Sequence, residues 1–221
     1  METTKQKIGD RLIKKVLFTS IIASLLYSNW LLGFILNPRV ISGGIASELA
    51  VADQPNHRLF IGADVLSAMA IFLTVVFMYR YLKAKNKTSS GFNKILIGYC
   101  VFGLFTALTA FRPLVCAASI GQCSTEPTFR YFFHFSLGII AASGLLVAII
   151  STLSLRTHNI LAITLFKSLA AGWLSCGVLS LVIPSSTVIP SHVFQKIYLI
   201  LGAVLIVLIP YLVVHAENSR Q

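Results

Sequence analysis

The sequence predicts an all-α, polytopic membrane protein, a bundle of six transmembrane helices with both termini in the cytoplasm. Three observations predict it. Of 221 residues, 56% are hydrophobic and only 11% are charged, whereas soluble domains carry roughly 25% charged residues. Mean hydropathy is +0.83. A soluble fold of this size has no core large enough to hide that much apolar surface, so the bilayer must solvate much of it. The apolar residues are also gathered into six runs of roughly 17–24 residues, each enough to cross a hydrocarbon layer about 30 Å thick as a helix. Finally, the basic residues lie unevenly between the runs, as the positive-inside rule requires.

Residues 1–15 are polar and basic, with Lys5, Lys7, Arg11, Lys14 and Lys15. The first run, 16–36, has the flanks of a signal peptide but is too long for one and shows no cleavage site before Asn37-Pro38, so it reads as a retained helix. Gly43-Gly44, Glu48, Asp53, Gln54-Pro55 and His57 mark a following irregular loop, within which residues 45–51 suit a short interfacial turn. The second run, 60–79, carries Asp64. A basic hinge at 80–94 holds Arg80, Lys83, Lys85, Lys87 and Lys94. The third run is 95–111, and a polar segment with Cys116 and Cys123 separates it from the fourth, 131–153. A short turn at 154–159 leads to the fifth run, 160–183, which contains Lys167. Pro184, Ser185, Ser186 and Pro190 break the chain before the sixth run, 193–214. Helix is the expected conformation, since lipid offers backbone groups no partner and the alternation of a barrel strand is absent. One membrane domain accounts for the whole length.

With the N-terminus inside, the cytoplasmic segments hold the basic clusters together with Arg156 and Arg220. The outer segments hold only Arg39, Arg58, Arg112, Arg130 and Lys196. The net charge of +11 therefore reads as topology and attraction to anionic lipid headgroups, not as a nucleic-acid surface. Cys116 and Cys123 fall outside, where disulfides persist, and their spacing suits a bridge in preference to two free thiols. Cys100 and Cys176 sit within apolar runs as small packing residues. In the fifth run Ser168, Gly172, Cys176 and Ser180 recur every four residues, a small-residue stripe that suits close packing inside the bundle or, less directly, a helix partner.

The chain has no Gly-rich phosphate loop, nucleophile elbow, His-Glu-x-x-His or Cys-x-x-Cys. What remains is a gathering of polar residues at the outer level. Glu48 is in the first outer loop, Asp64 is one turn into helix two, and Arg112 ends helix three. His134 is one turn into helix four, and His192, Gln195 and Lys196 open helix six. Ionisable groups within a membrane are costly and by default point to function. Each also has a packing role to weigh. Asp64 can pair with Arg112 or Arg58 and share hydrogen bonds with Ser67, and His134 can bond the cysteine loop. His192 can serve as a helix start, and Lys167 can snorkel to the cytoplasmic interface.

Ser47-Glu48-Leu49, Gln54-Pro55, Gly62-x-Asp64, Pro113-x-x-Cys116 with Cys123, His134 and Phe194-Gln195-Lys196 follow one another in order. This pattern resembles the DUF998 family of prokaryotic six-helix membrane proteins, distantly similar to the Frag/DRAM/Sfk group, over nearly the whole chain. The resemblance implies the six-helix fold, an outer cysteine loop and a prokaryotic plasma membrane, and implies no particular reaction. The family pattern often places an acid before the first cysteine and further histidines beside the one on helix four. Here Val115 and Phe133 stand there, which leaves fewer ligands for a metal.

The leading functional expectation is a protein without a cofactor that binds a lipid headgroup or small envelope ligand in an outward polar pocket. Glu48, Asp64, Arg112, His134 and Lys196 would supply the contacts, the cations attracting phosphate and the acids holding hydroxyls or amines. The alternative is a metal-assisted hydrolase of a lipid or amide. In it Asp64, His134 and His192 bind zinc, a water completes the coordination and Glu48 acts as general base. A small transporter is a third expectation, weakened by the lack of a broken-helix pair.

Overall fold

The computed structural model describes residues 2–86, 89–121, 123, 129–155, 160–183 and 190–216. Lys87, Arg156, Arg220 and the Pro184–Ser186 break lie outside the described residues. Six helices are long and apolar enough to cross a membrane, and no strand occurs among the described residues. We number the long helices α1 (Glu2–Tyr27), α2 (His57–Ala84), α3 (Ser90–Phe111), α4 (Phe129–Leu153), α5 (Ile160–Val182) and α6 (Ser191–His215). Successive helices run in opposite directions, so the bundle has a basic end, where α1 starts, and a disulfide end.

Two helices depart from the expected bounds. α1 begins at Glu2, well before the apolar run, because residues 6–15 contain no proline and mostly good helix formers. Leu12 and Ile13 in that stretch pack on the main core. Towards the disulfide end the same run does not stay one helix. After Tyr27 it tightens into a 3-10 turn at Asn29–Leu32, then a single α-turn at Gly33–Leu36. Ser28 and Asn29 each turn a side chain onto a carbonyl of the preceding turn, at 2.9 Å from Ser24 O and 2.8 Å from Leu26 O. Such local bonds compete with continuation of the helix.

α6 is the hub. It packs on α1, α2, α4 and α5, and 50% of its apolar window is buried inside the bundle, against 17% for α5. Polar side chains of three helices donate into its backbone. Ser24 Oγ reaches Ala203 O at 2.7 Å, Tyr81 Oη reaches Val214 O at 2.7 Å, and Tyr99 Oη reaches Ile206 O at 2.8 Å. The last of these follows from a proline. Pro210 lies inside α6 and has no N–H, so the carbonyl four residues earlier, that of Ile206, loses its helical donor. The fully buried Tyr99 hydroxyl replaces that donor. α1 and α2 are tied in the same way, by Ser67 Oγ to Ala23 O at 2.8 Å and Thr74 Oγ1 to Thr19 Oγ1 at 2.8 Å. Ser67 is thus spent on a backbone carbonyl and is not the partner of Asp64.

Two facing glycines bring the backbones of α3 and α4 close together. A Cβ on Gly98 would lie 2.6 Å from Gly144 O, and one on Gly144 would lie 2.8 Å from Gly98 O. The stripe read on the fifth run packs less tightly. Gly172 faces Leu201 of α6, where a Cβ would meet Cδ1 at 3.3 Å, while Ser168 is exposed.

Removing the Tyr99 hydroxyl should strand the Ile206 carbonyl. We expect Tyr99→Phe to cost about 1–2 kcal/mol, above the average of about 0.6 kcal/mol for side-chain hydrogen bonds between membrane helices. Pro210→Ala returns an amide to that carbonyl, so the same substitution in that background should cost markedly less. Thermal unfolding of the four proteins in one detergent measures the difference, and equal costs in both backgrounds would refute the pairing.

Candidate ligand-binding site

The segment between α1 and α2 folds as a cap on the disulfide end. Pro38 sits in the first turn of a short helix, Pro38–Gly43, where its missing N–H costs nothing. The 3-10 turn Ala46–Ala50 follows, where the sequence suggests an interfacial turn. Trp30, Val40, Ile41, Leu49 and Phe60 make a second small core under the cap, with Ala46 and Leu199 of α6 against it. Gly33 is needed for this packing, since a Cβ there would come 2.7 Å from Leu49 Cδ1.

Cys116 and Cys123 form a disulfide with Cα atoms 5.4 Å apart. Within the loop it closes, the turn Ala118–Ile120 presents Ser119 to the cap. Glu48 is 4% exposed, and its Oε2 accepts from the Ser119 N–H at 3.2 Å and, in a short bond, from the Ser119 hydroxyl. Gly44 leaves room for this clamp, because a Cβ there would lie 2.5 Å from Glu48 Oε2 and 2.6 Å from Ser119 Oγ. The start of α6 grips the other side of the cap. Gln195 Oε1 accepts from the Ala46 N–H at 3.0 Å, and Lys196 Nζ donates to Ile41 O.

His134 Nδ1 lies 2.8 Å from Arg112 O and its ring is buried. This fastens α4 to the end of α3. The Arg112 side chain itself is exposed.

Of the five residues expected to line one pocket, Glu48, Lys196 and His134 are therefore engaged in stitching the cap, the cysteine loop and the helix ends together. Arg112 contributes a carbonyl to that stitching. Asp64 stands apart from this network. It meets neither Arg58 nor Arg112. Its Oδ1 accepts from Asn29 Nδ2 at 2.6 Å, and its other oxygen has no hydrogen-bond partner among the described residues. No cationic side chain acts on it. The zinc reading loses its ligand set as well, because Asp64, His134 and His192 do not converge. No three His, Cys, Asp or Glu do so among the described residues.

Asp64 is half-buried. Tyr27 lies close enough to Asp64, and to Tyr198, for their charges to interact. Neither tyrosine hydroxyl has a hydrogen-bond partner among the described residues, and neither is sealed from solvent. Trp173 of α5 stacks on Tyr198 with centroids 5.0 Å apart, and Phe102 of α3 lies 5.7 Å from the Tyr27 ring. Gly202 keeps the rings together, since a Cβ there would be 3.3 Å from Trp173 Nε1 and 3.6 Å from Tyr27 Cε1. The Trp173 indole N–H is buried without an acceptor.

Asn29, Tyr27, Tyr198 and Trp173 escape a sequence reading because aromatic and amide residues near helix ends are ordinary in membrane proteins. The one signal available was the offset of Asn29 within an otherwise apolar run.

Compared with protein-family models, curated proteins and solved structures, the chain gives no match.

The clamp predicts the behaviour of Glu48 variants. Glu48→Ala leaves the Ser119 amide and hydroxyl without their charged acceptor, and bonds to charged groups contribute about 1.5–3 kcal/mol each. We expect a fall in Tm and faster proteolysis of the cap and cysteine loop, with the six long helices still protected. Unchanged proteolysis of both loops would contradict a structural role for Glu48.

Proposed function

We propose that this chain is a non-enzymatic binding protein of a prokaryotic plasma membrane, taking a lipid headgroup or small envelope ligand at its disulfide end. One observation carries the reading. Asp64 is a half-buried carboxylate whose one hydrogen-bond partner among the described residues is a neutral amide. A carboxylate at membrane depth is costly unless something answers it, and the packing around it gives no cation that does. Glu48, His134, Gln195 and Lys196 at that end are engaged in holding the cap and loops, so they supply a rim while Asp64 supplies chemistry.

Orientation follows from charge. Lys7, Arg11, Lys14, Lys15, Arg80, Lys83, Lys85 and Lys94 crowd the basic end, which suits the anionic cytoplasmic leaflet. The disulfide end then faces outwards, where its bridge is chemically at home. The resemblance to DUF998 agrees with this placement.

If Asp64 holds a ligand, protein purified from its own membrane should carry a small molecule or lipid that Asp64→Asn protein lacks. Asparagine keeps the shape of aspartate and can still accept from Asn29, so the fold should persist. Mass spectrometry of extracts from the two proteins, normalised to protein, reads the difference. Identical extracts would defeat the binding reading.

A further inference from the structure

We propose that the group received beside Asp64 is an organic ammonium, carried either by a soluble amine or by an amine-bearing lipid headgroup. The inference rests on the binding reading above and adds the chemistry of the ligand.

Four observations converge on it. First, an ionised carboxylate offers acceptors only, and Asn29 answers Asp64 with one neutral N–H at 2.6 Å. Second, no lysine, arginine or histidine does the rest. Lys196, the cation of the nearby α6 start, is turned to the Ile41 carbonyl and feels Glu48 instead. Third, Tyr27, which feels the charge of Asp64, belongs to a group of aromatic residues drawn from four helices, with Phe102, Trp173 and Tyr198. Ring faces attract cations, and tryptophan and tyrosine do so best when water is scarce. A carboxylate next to such a ring group suits an alkylammonium. Fourth, the free hydroxyls of Tyr27 and Tyr198 can accept from ammonium N–H groups or donate to an oxygen of the same ligand.

The alternatives fit less well. An anion would meet the carboxylate with no cation to offset it. A divalent metal needs several oxygen or nitrogen ligands from the protein, and no three His, Cys, Asp or Glu gather among the described residues. An uncharged lipid tail would leave Asp64 unanswered.

The full chain carries its own reporter. Of its two tryptophans, Trp173 is stacked on Tyr198, so a cation seated among the rings should change its emission. The protein would be placed in nanodiscs of pure phosphatidylglycerol and titrated with tetramethylammonium, with ethanolamine and, as an anionic probe, with methyl phosphate. A second set of discs would contain phosphatidylethanolamine. Each arm would be repeated with Asp64→Asn and with Gly202→Val, which fills the space between Trp173 and Tyr27 without touching the carboxylate.

Saturable fluorescence change with a soluble ammonium, weakened about tenfold or more in Asp64→Asn, supports the proposal and makes the ligand a free amine. A change confined to phosphatidylethanolamine discs and lost in Asp64→Asn supports it with the lipid as the source. If Asp64→Asn does not fold, loss of the response in Gly202→Val serves the same comparison. A response to methyl phosphate or to phosphatidylglycerol that ignores Asp64 overturns the ammonium while leaving a binding protein. No response in any arm, with Asp64 then a plain structural acid, overturns both.

Discussion

A proline in the most buried helix leaves one of that helix's carbonyls without its donor. The carbonyl of Ile206, four residues before Pro210, must find a donor within the protein, because an unpaired group in hydrocarbon costs several kcal/mol. Tyr99 of α3 provides it. Tyr81 of α2 does the same for the Val214 carbonyl near the end of α6, and Ser24 of α1 bonds Ala203 midway. These bonds draw three helices onto α6 at defined depths. α5 completes the bundle by laying Trp173 against Tyr198. The ring group beside Tyr27 is a consequence. Tyr27 belongs to α1, Phe102 to α3, Trp173 to α5 and Tyr198 to α6, so its assembly depends on those helices being held by the hub.

The two kinds of polar chemistry at the disulfide end are kept separate. Near the surface, Glu48, Ser119, Gln195 and Lys196 close a cap over a small apolar core, with the disulfide limiting how far the Ser119 loop can stray. One helical turn below Phe60 of that core, Asp64 faces inwards with a single amide partner. The cap thus lies above a carboxylate that the described residues answer with one neutral amide.

Much of this fold was legible in the sequence for a simple reason. Six long apolar runs leave the bilayer as the only solvent, and lipid leaves the helix as the only conformation. The pairing of Cys116 with Cys123 was legible too, because both fall in one short loop. The site was less so. Glu48 and His134 announce themselves as ionisable groups near the membrane, but a sequence does not say whether such a group meets a ligand or a backbone. In the fold, Glu48 meets Ser119, 71 positions away, and His134 meets the carbonyl of Arg112. Asn29 and Asp64, 35 positions apart, come together only because α1 tightens after Tyr27. A second close approach escapes the sequence for a similar reason. Ser168, Gly172 and Cys176 form the more regular stripe, yet the tight seam is Gly98 against Gly144, a contact between two single glycines that no spacing rule within one helix reveals.

The accessibility of position 64 is the point on which the functional reading turns. Asp64→Cys in a chain whose Cys100 and Cys176 are replaced by serine leaves one reactive thiol, since Cys116 and Cys123 are paired. Intact cells would be exposed to a small membrane-impermeant thiosulfonate, and the fraction labelled would be compared with that after lysis. A recess open at an outward disulfide end predicts labelling in intact cells. A thiol that reacts only after denaturation would mean that Asp64 is sealed within the bundle, and one that reacts only after lysis would turn the protein over in the membrane.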